Sequence, residues 1–145
     1  MVMRLALCLV VAAILTRPAG AAGVAAALEQ FGLVGNWADD CSKNQDNARQ
    51  GFRIIIAEPP AAEPTYTTIN IDNGVKTTIR SLVLTAVLLS PRSLRLRMRI
   101  VGGDVDGGPL PSPTTNTFEQ TFERGAGNAV QMAGKPPVLL QRCRD

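Results

Sequence analysis

The clearest pattern along the chain is a strict alternation from Leu94 to Val101 (LRLRMRIV). Successive strand residues point to opposite sides, so Leu94, Leu96, Met98 and Ile100 share one face and Arg95, Arg97 and Arg99 the other. Thr65 to Ile71 (TYTTINI) alternates too, and Val75 to Ile79 returns as its partner across Asp72-Asn73-Gly74. Those three residues tolerate the positive φ that a tight hairpin turn needs. Gly51 to Ala57 (GFRIIIA) is β-branched and apolar and predicts another strand. Glu58 to Pro64 ends it, because prolines remove ladder donors.

The remaining segments are less decisive. Gly23 to Gln30 is alanine-rich and predicts either a helical turn or two or a frayed end. Phe31 to Ala38 (FGLVGNWA) reads as the first strand, and Asp39 to Asn47 as a polar loop. Ser81 to Leu89 fits a strand or a buried helix by period alone, and its neighbours favour a strand. Gly102 to Pro113 reads as a long glycine and proline loop. Thr114 to Arg124 as a strand puts Phe118, Gln120 and Phe122 on one face; as a helix it pairs Phe118 with Phe122. Its threonines and phenylalanines favour a strand. Asn128 to Ala133 and Val138 to Cys143 are short strands around the turn Gly134 to Pro137. About eight short strands punctuated by glycine and proline predict an all-β fold, a small antiparallel β-barrel or sandwich.

The start of the chain follows a different logic. A basic beginning, Met1 to Arg4, precedes the apolar run Leu5 to Leu15 and the small residues Ala19 to Ala22. This order reads as a secretory signal peptide over residues 1–22, cleaved after Ala21 or Ala22. The run is shorter than the ~20 residues of a membrane span. A lipoprotein reading fails at Leu5-Ala6-Leu7-Cys8, where Leu7 is too bulky and Cys8 comes too early in the run. The expected product is one periplasmic or secreted domain, residues 23–145.

Removing that segment changes the composition that matters. The chain carries +3, and without Arg4 and Arg17 the charge falls to about +1. A nearly neutral domain gives no electrostatic case for nucleic acid or an anionic membrane. Loss of Cys8 leaves Cys41 and Cys143, and two cysteines in an exported domain predict one disulfide closing most of the chain.

Candidate chemistry is sparse. The chain has no histidine, which removes the commonest general base and the commonest transition-metal ligand. No nucleophile elbow, phosphate loop or Cys-x-x-Cys occurs, so no catalytic residue, cofactor or metal is expected. Asp104-Val105-Asp106-Gly107-Gly108 resembles the start of a calcium loop, but the twelfth position is Thr115 where a bidentate glutamate belongs. Adjacent Asp39 and Asp40 would diverge on a strand and serve better in a turn or as caps of neighbouring amides. Arg95, Arg97 and Arg99 form the best binding candidate: three guanidinium groups in a row suit an anionic ligand or an acidic partner. Arg92 and Arg80 are placed to enlarge the patch. Gly35 and Trp37 read as structural, a close-approach glycine and a tryptophan plugging one end of the core.

Phe31 to Trp37, then Asp40-Cys41-Ser42 and the late Cys143, resemble a group of small exported bacterial proteins of uncharacterised function. Gly35-x-Trp37 is similar to the opening strand of lipocalin-like, calycin-type barrels. That resemblance implies a barrel that binds small apolar ligands or, as in the bacterial metalloprotease inhibitors, engages an enzyme. The chain is shorter than true lipocalins, and their later arginine-bearing motif is not legible in it. The expected function is an exported, non-enzymatic binding module for a small or anionic ligand. The alternative is a protein-interaction factor such as an inhibitor or envelope accessory protein.

Overall fold

The computed structural model describes residues 19–43, 48–58, 62–110 and 116–144. Residues 1–18 of the expected signal segment lie outside them. Among the described residues one helix, α1 (Ala19–Phe31), precedes nine strands: β1 (Gly35–Ala38), β2 (Gln50–Ala57), β3 (Thr65–Asp72), β4 (Val75–Ser90), β5 (Ser93–Val105), β6 (Gly108–Pro109), β7 (Thr117–Arg124), β8 (Ala129–Met132) and β9 (Val138–Arg142). Each main strand pairs antiparallel with the next, β4 pairs with β5, and β9 pairs back with β1. The result is a closed eight-stranded up-and-down barrel, with β6 a short addition beside β5. Closure removes the exposed edges that an open sandwich would leave.

The local signals act as their chemistry dictates. Asn73 and Gly74, at φ of 51° and 84°, make the two-residue turn between β3 and β4. β5 keeps its alternation: Leu94, Leu96 and Met98 are fully buried inside while the arginines between them are exposed outside. Thr117–Arg124 is a strand, with Phe122 inside.

Three boundaries differ from the sequence reading. Phe31-Gly32-Leu33 is the stop of α1, not part of a strand. Gly32 sits at φ 72°, its N–H donates to Glu29 O (2.9 Å), and Leu33 N–H donates to Leu28 O (3.0 Å). This is a Schellman ending, sealed by the buried pair Leu28 and Leu33. Val75 to Ser90 forms one long strand, because bulges near Arg80/Ser81 and Val83/Thr85 bend it without interrupting it. The glycine-rich segment after Val101 is partly strand: β5 runs on to Val105, and Asp106-Gly107 turns it into β6.

α1 lies against β4 and contributes Val24, Leu28 and Phe31 to the core. All three follow the expected cleavage position, and Gly20, Ala22 and Gly23 are exposed. Removal of residues 1–22 would therefore leave the packed part of the helix in place. No helix among the described residues is long and apolar enough to cross a membrane.

Inside the barrel, Leu28, Leu33, Ile54, Leu94, Leu96, Met98, Phe122 and Leu140 have no water-accessible surface. A side chain without such surface borders no void large enough for a water molecule. The interior is a packed core around these residues, as small eight-stranded barrels allow.

Candidate functional site

The outward row sits at the centre of a three-strand face. Arg95, Arg97 and Arg99 on β5 stand opposite Val87, Thr85 and Leu82 of β4, and opposite Thr121, Glu119 and Thr117 of β7. Val87 and Val101 are large apolar residues left 46% and 55% exposed beside the row. The two arginines read as enlarging the patch already have partners. Arg80 pairs with Asp104 at 3.5 Å, and Arg92 donates from Nη2 to the carbonyl of Arg124 at 3.1 Å.

A second basic group forms at the barrel end beneath α1. On β7 the inward positions run Phe118, Gln120, Phe122, Arg124; on β9 they run Val138, Leu140, Arg142. Each series ends in an arginine that reaches back over an aromatic ring. Arg124 lies 4.9 Å above the Phe31 ring and donates to the Phe31 carbonyl at the end of α1. A cation is favoured there, because the last helical carbonyls carry partial negative charge. Arg142 lies 5.8 Å from the centre of the Trp37 indole and donates to Val34 O at 3.0 Å. Trp37 is buried, and its Nε1–H donates to Leu33 O at 2.8 Å. Gly35 is at φ 130°, and a Cβ there would come within 3.3 Å of the Arg142 guanidinium. A glycine at this position leaves room for that guanidinium.

Sequence reading missed this pair. The available signal was period: counting by twos from Phe118 and from Val138 puts Arg124 and Arg142 on core-facing positions, where an arginine needs a reason to be.

The carboxylates are used locally. Asp39 Oδ1 accepts the N–H groups of Phe52 (3.1 Å) and Asp40 (2.9 Å), and Oδ2 meets Lys43 Nζ at 3.4 Å. Asp40 Oδ1 accepts the Ser42 hydroxyl (2.7 Å) and amide (3.0 Å), bonds that hold its carboxyl below the ordinary carboxylate range. Asp106 Oδ1 accepts Lys76 N–H at 2.8 Å and fixes the β5–β6 turn against β4. The described residues contain no group of three or more histidine, cysteine, aspartate or glutamate side chains placed to hold a metal.

Cys41 and Cys143 are joined, with Cα atoms 5.3 Å apart at a sequence separation of 102. They lie just beyond β1 and β9, which pair at Trp37 with Arg142 and Ala38 with Gln141, and Cys143 N–H continues the seam by donating to Asn36 O at 2.9 Å. Comparison of the chain with family models, with curated proteins and with solved structures finds no match.

Proposed function

We propose that the protein is an exported, non-enzymatic interaction module that docks an acidic protein surface through Arg95, Arg97 and Arg99. The observation that carries this reading is the contrast between the two sides of β5: a sealed apolar interior and three exposed arginines outside. An apolar guest inside the barrel finds no support in a core packed to exclude water. The outer face is convex, as barrel walls are, which suits a broad partner better than a small enclosed ligand. Exposed Val87 and Val101 add apolar contact beside the charges, the mixture that protein interfaces favour when arginine is central.

Export is supported by the Cys41–Cys143 pair, a bond that persists in oxidising compartments, and by the signal-like order of residues 1–22. The calycin resemblance rests on Gly35-x-Trp37.

The test is charge reversal. Affinity capture from an extract of the native host's envelope, with wild-type protein and with the Arg95→Glu/Arg97→Glu/Arg99→Glu variant, should yield a salt-sensitive acidic partner only for the wild type. Thermal melting of the two proteins should agree, because the three side chains are solvent-facing. The same partner retained by the folded variant would retire the proposal.

A further inference from the structure

At the barrel end beneath α1, Arg124 and Arg142 both line one recessed cleft of about 110 Å³, with Phe31 and Trp37 as its apolar walls. No carboxylate is among the described residues that line it. Asn128, an exposed residue of the β7–β8 turn, also lines it, and Asn128, Ala129 and Arg142 border an adjoining open cleft of about 250 Å³.

The two guanidinium groups are held in place before any ligand arrives. Each lies over an aromatic ring, and each donates from Nη2 to a carbonyl of the α1–β1 connection. A guanidinium carries five N–H donors, so these single bonds leave donors for a further acceptor. Fixing the planes in advance lowers the ordering cost of binding. We infer that this cleft is an anion site for a small organic carboxylate, bound between Arg124 and Arg142 with its organic remainder in the adjoining cleft. Planar carboxylates match guanidinium geometry, and the apolar walls suit a carbon-bearing ligand better than a strongly hydrated phosphate. The site is separate from the outer row on β5 and does not depend on it.

Trp37 is the sole tryptophan of the chain and a wall of the cleft, so its fluorescence reports occupancy directly. The experiment titrates succinate, the acid and amide forms of a short peptide, and inorganic phosphate into the intact protein at constant ionic strength. Saturable binding of succinate, of the peptide acid or of both, with no response to the peptide amide, is the expected result. Which of the two binds tells a free acid from a chain-terminal carboxylate. Asn128→Asp keeps the shape of an exposed turn residue and adds one negative charge at the rim. It should weaken binding by about tenfold or more, the weight of a close like charge. Arg124→Gln should weaken it as well, and if that variant unfolds, Asn128→Asp still decides. The Arg95→Glu/Arg97→Glu/Arg99→Glu variant should bind as wild type, so failure here is distinguishable from failure of the docking proposal. No saturable response to either carboxylate, a preference for phosphate, or affinity unchanged in Asn128→Asp would overturn the inference.

Discussion

Trp37 and Arg142 are register partners across the narrow seam that closes the barrel, and the guanidinium lies 5.8 Å from the centre of the indole ring. The seam joins the first strand to the last through two residue pairs, Trp37 with Arg142 and Ala38 with Gln141. Cys143 N–H extends that ladder by donating to Asn36 O at 2.9 Å, and the stack adds to a seam that is still short. Arg142→Ala removes a partly exposed cation–π contact and the bond to Val34 O, a loss of about 1–2 kcal/mol together. Urea unfolding followed by Trp37 fluorescence should show this drop. An unchanged midpoint would mean the stack does not help close the barrel.

The disulfide reinforces the same seam. A bridge enclosing about 100 residues contributes up to about 4.7 kcal/mol by constraining the unfolded chain. The Cys41→Ser/Cys143→Ser variant should unfold at markedly lower urea, and reductant should shift the wild type toward it without moving the variant. Labelling of thiols in the native, unreduced protein would contradict the bond.

Tyr66 predicts an alkaline limit. It is buried in the barrel, its ring centre 6.3 Å from that of Phe122 and its hydroxyl 3.7 Å from Met132 Sδ. Burial raises its pKa to about 12, against a smaller lowering by a hydrogen bond with Thr68. The unfolded chain loses this proton near pH 10 and the folded chain only near 12. The raised folded value means the stability is fully present below pH 10 and falls as pH rises toward 12, by about 2–3 kcal/mol. As Tyr66 is the chain's sole tyrosine, tyrosinate absorbance in the folded protein at pH 11 should reach only about a tenth of its full value and rise to most of it with unfolding. Tyr66→Phe should remove this part of the alkaline loss.

A packed interior makes large-to-small substitutions costly. Leu96 is fully buried on β5, and Leu96→Ala should destabilise by about 2–5 kcal/mol through lost burial and the space left behind. The wild type should take up no apolar probe in its core. Uptake by the wild type without loss of stability would contradict a filled barrel.

The legible parts of the fold are those set by neighbours in sequence. The alternation of Leu94 to Val101 fixes which face of β5 is buried, because a one-residue slip would put three arginines in the core. Asn73-Gly74 supplies its turn by positive φ alone. The start of the first strand is not legible, for the opposite reason. Phe31 and Leu33 are apolar in either element, and Gly32 as a helix stop shows only once a helix is packed before it. Of the candidate site, the outer arginine row was readable from period. The cleft was not, because Arg124 and Arg142 come from different strands and Phe31 from the helix.

The alternating strands, the punctuation between them, the outward arginines and the candidate pair Cys41 and Cys143 are legible in the residues alone. These follow from side-chain period, proline and glycine backbone limits, and thiol chemistry, which act over a few residues. Closure of the sheet, the filling of its interior, and the placing of two distant arginines along one cleft beside Phe31 and Trp37 come from the tertiary structure. Those outcomes depend on contacts up to a hundred positions apart, where packing and loop closure, not local preference, select the arrangement.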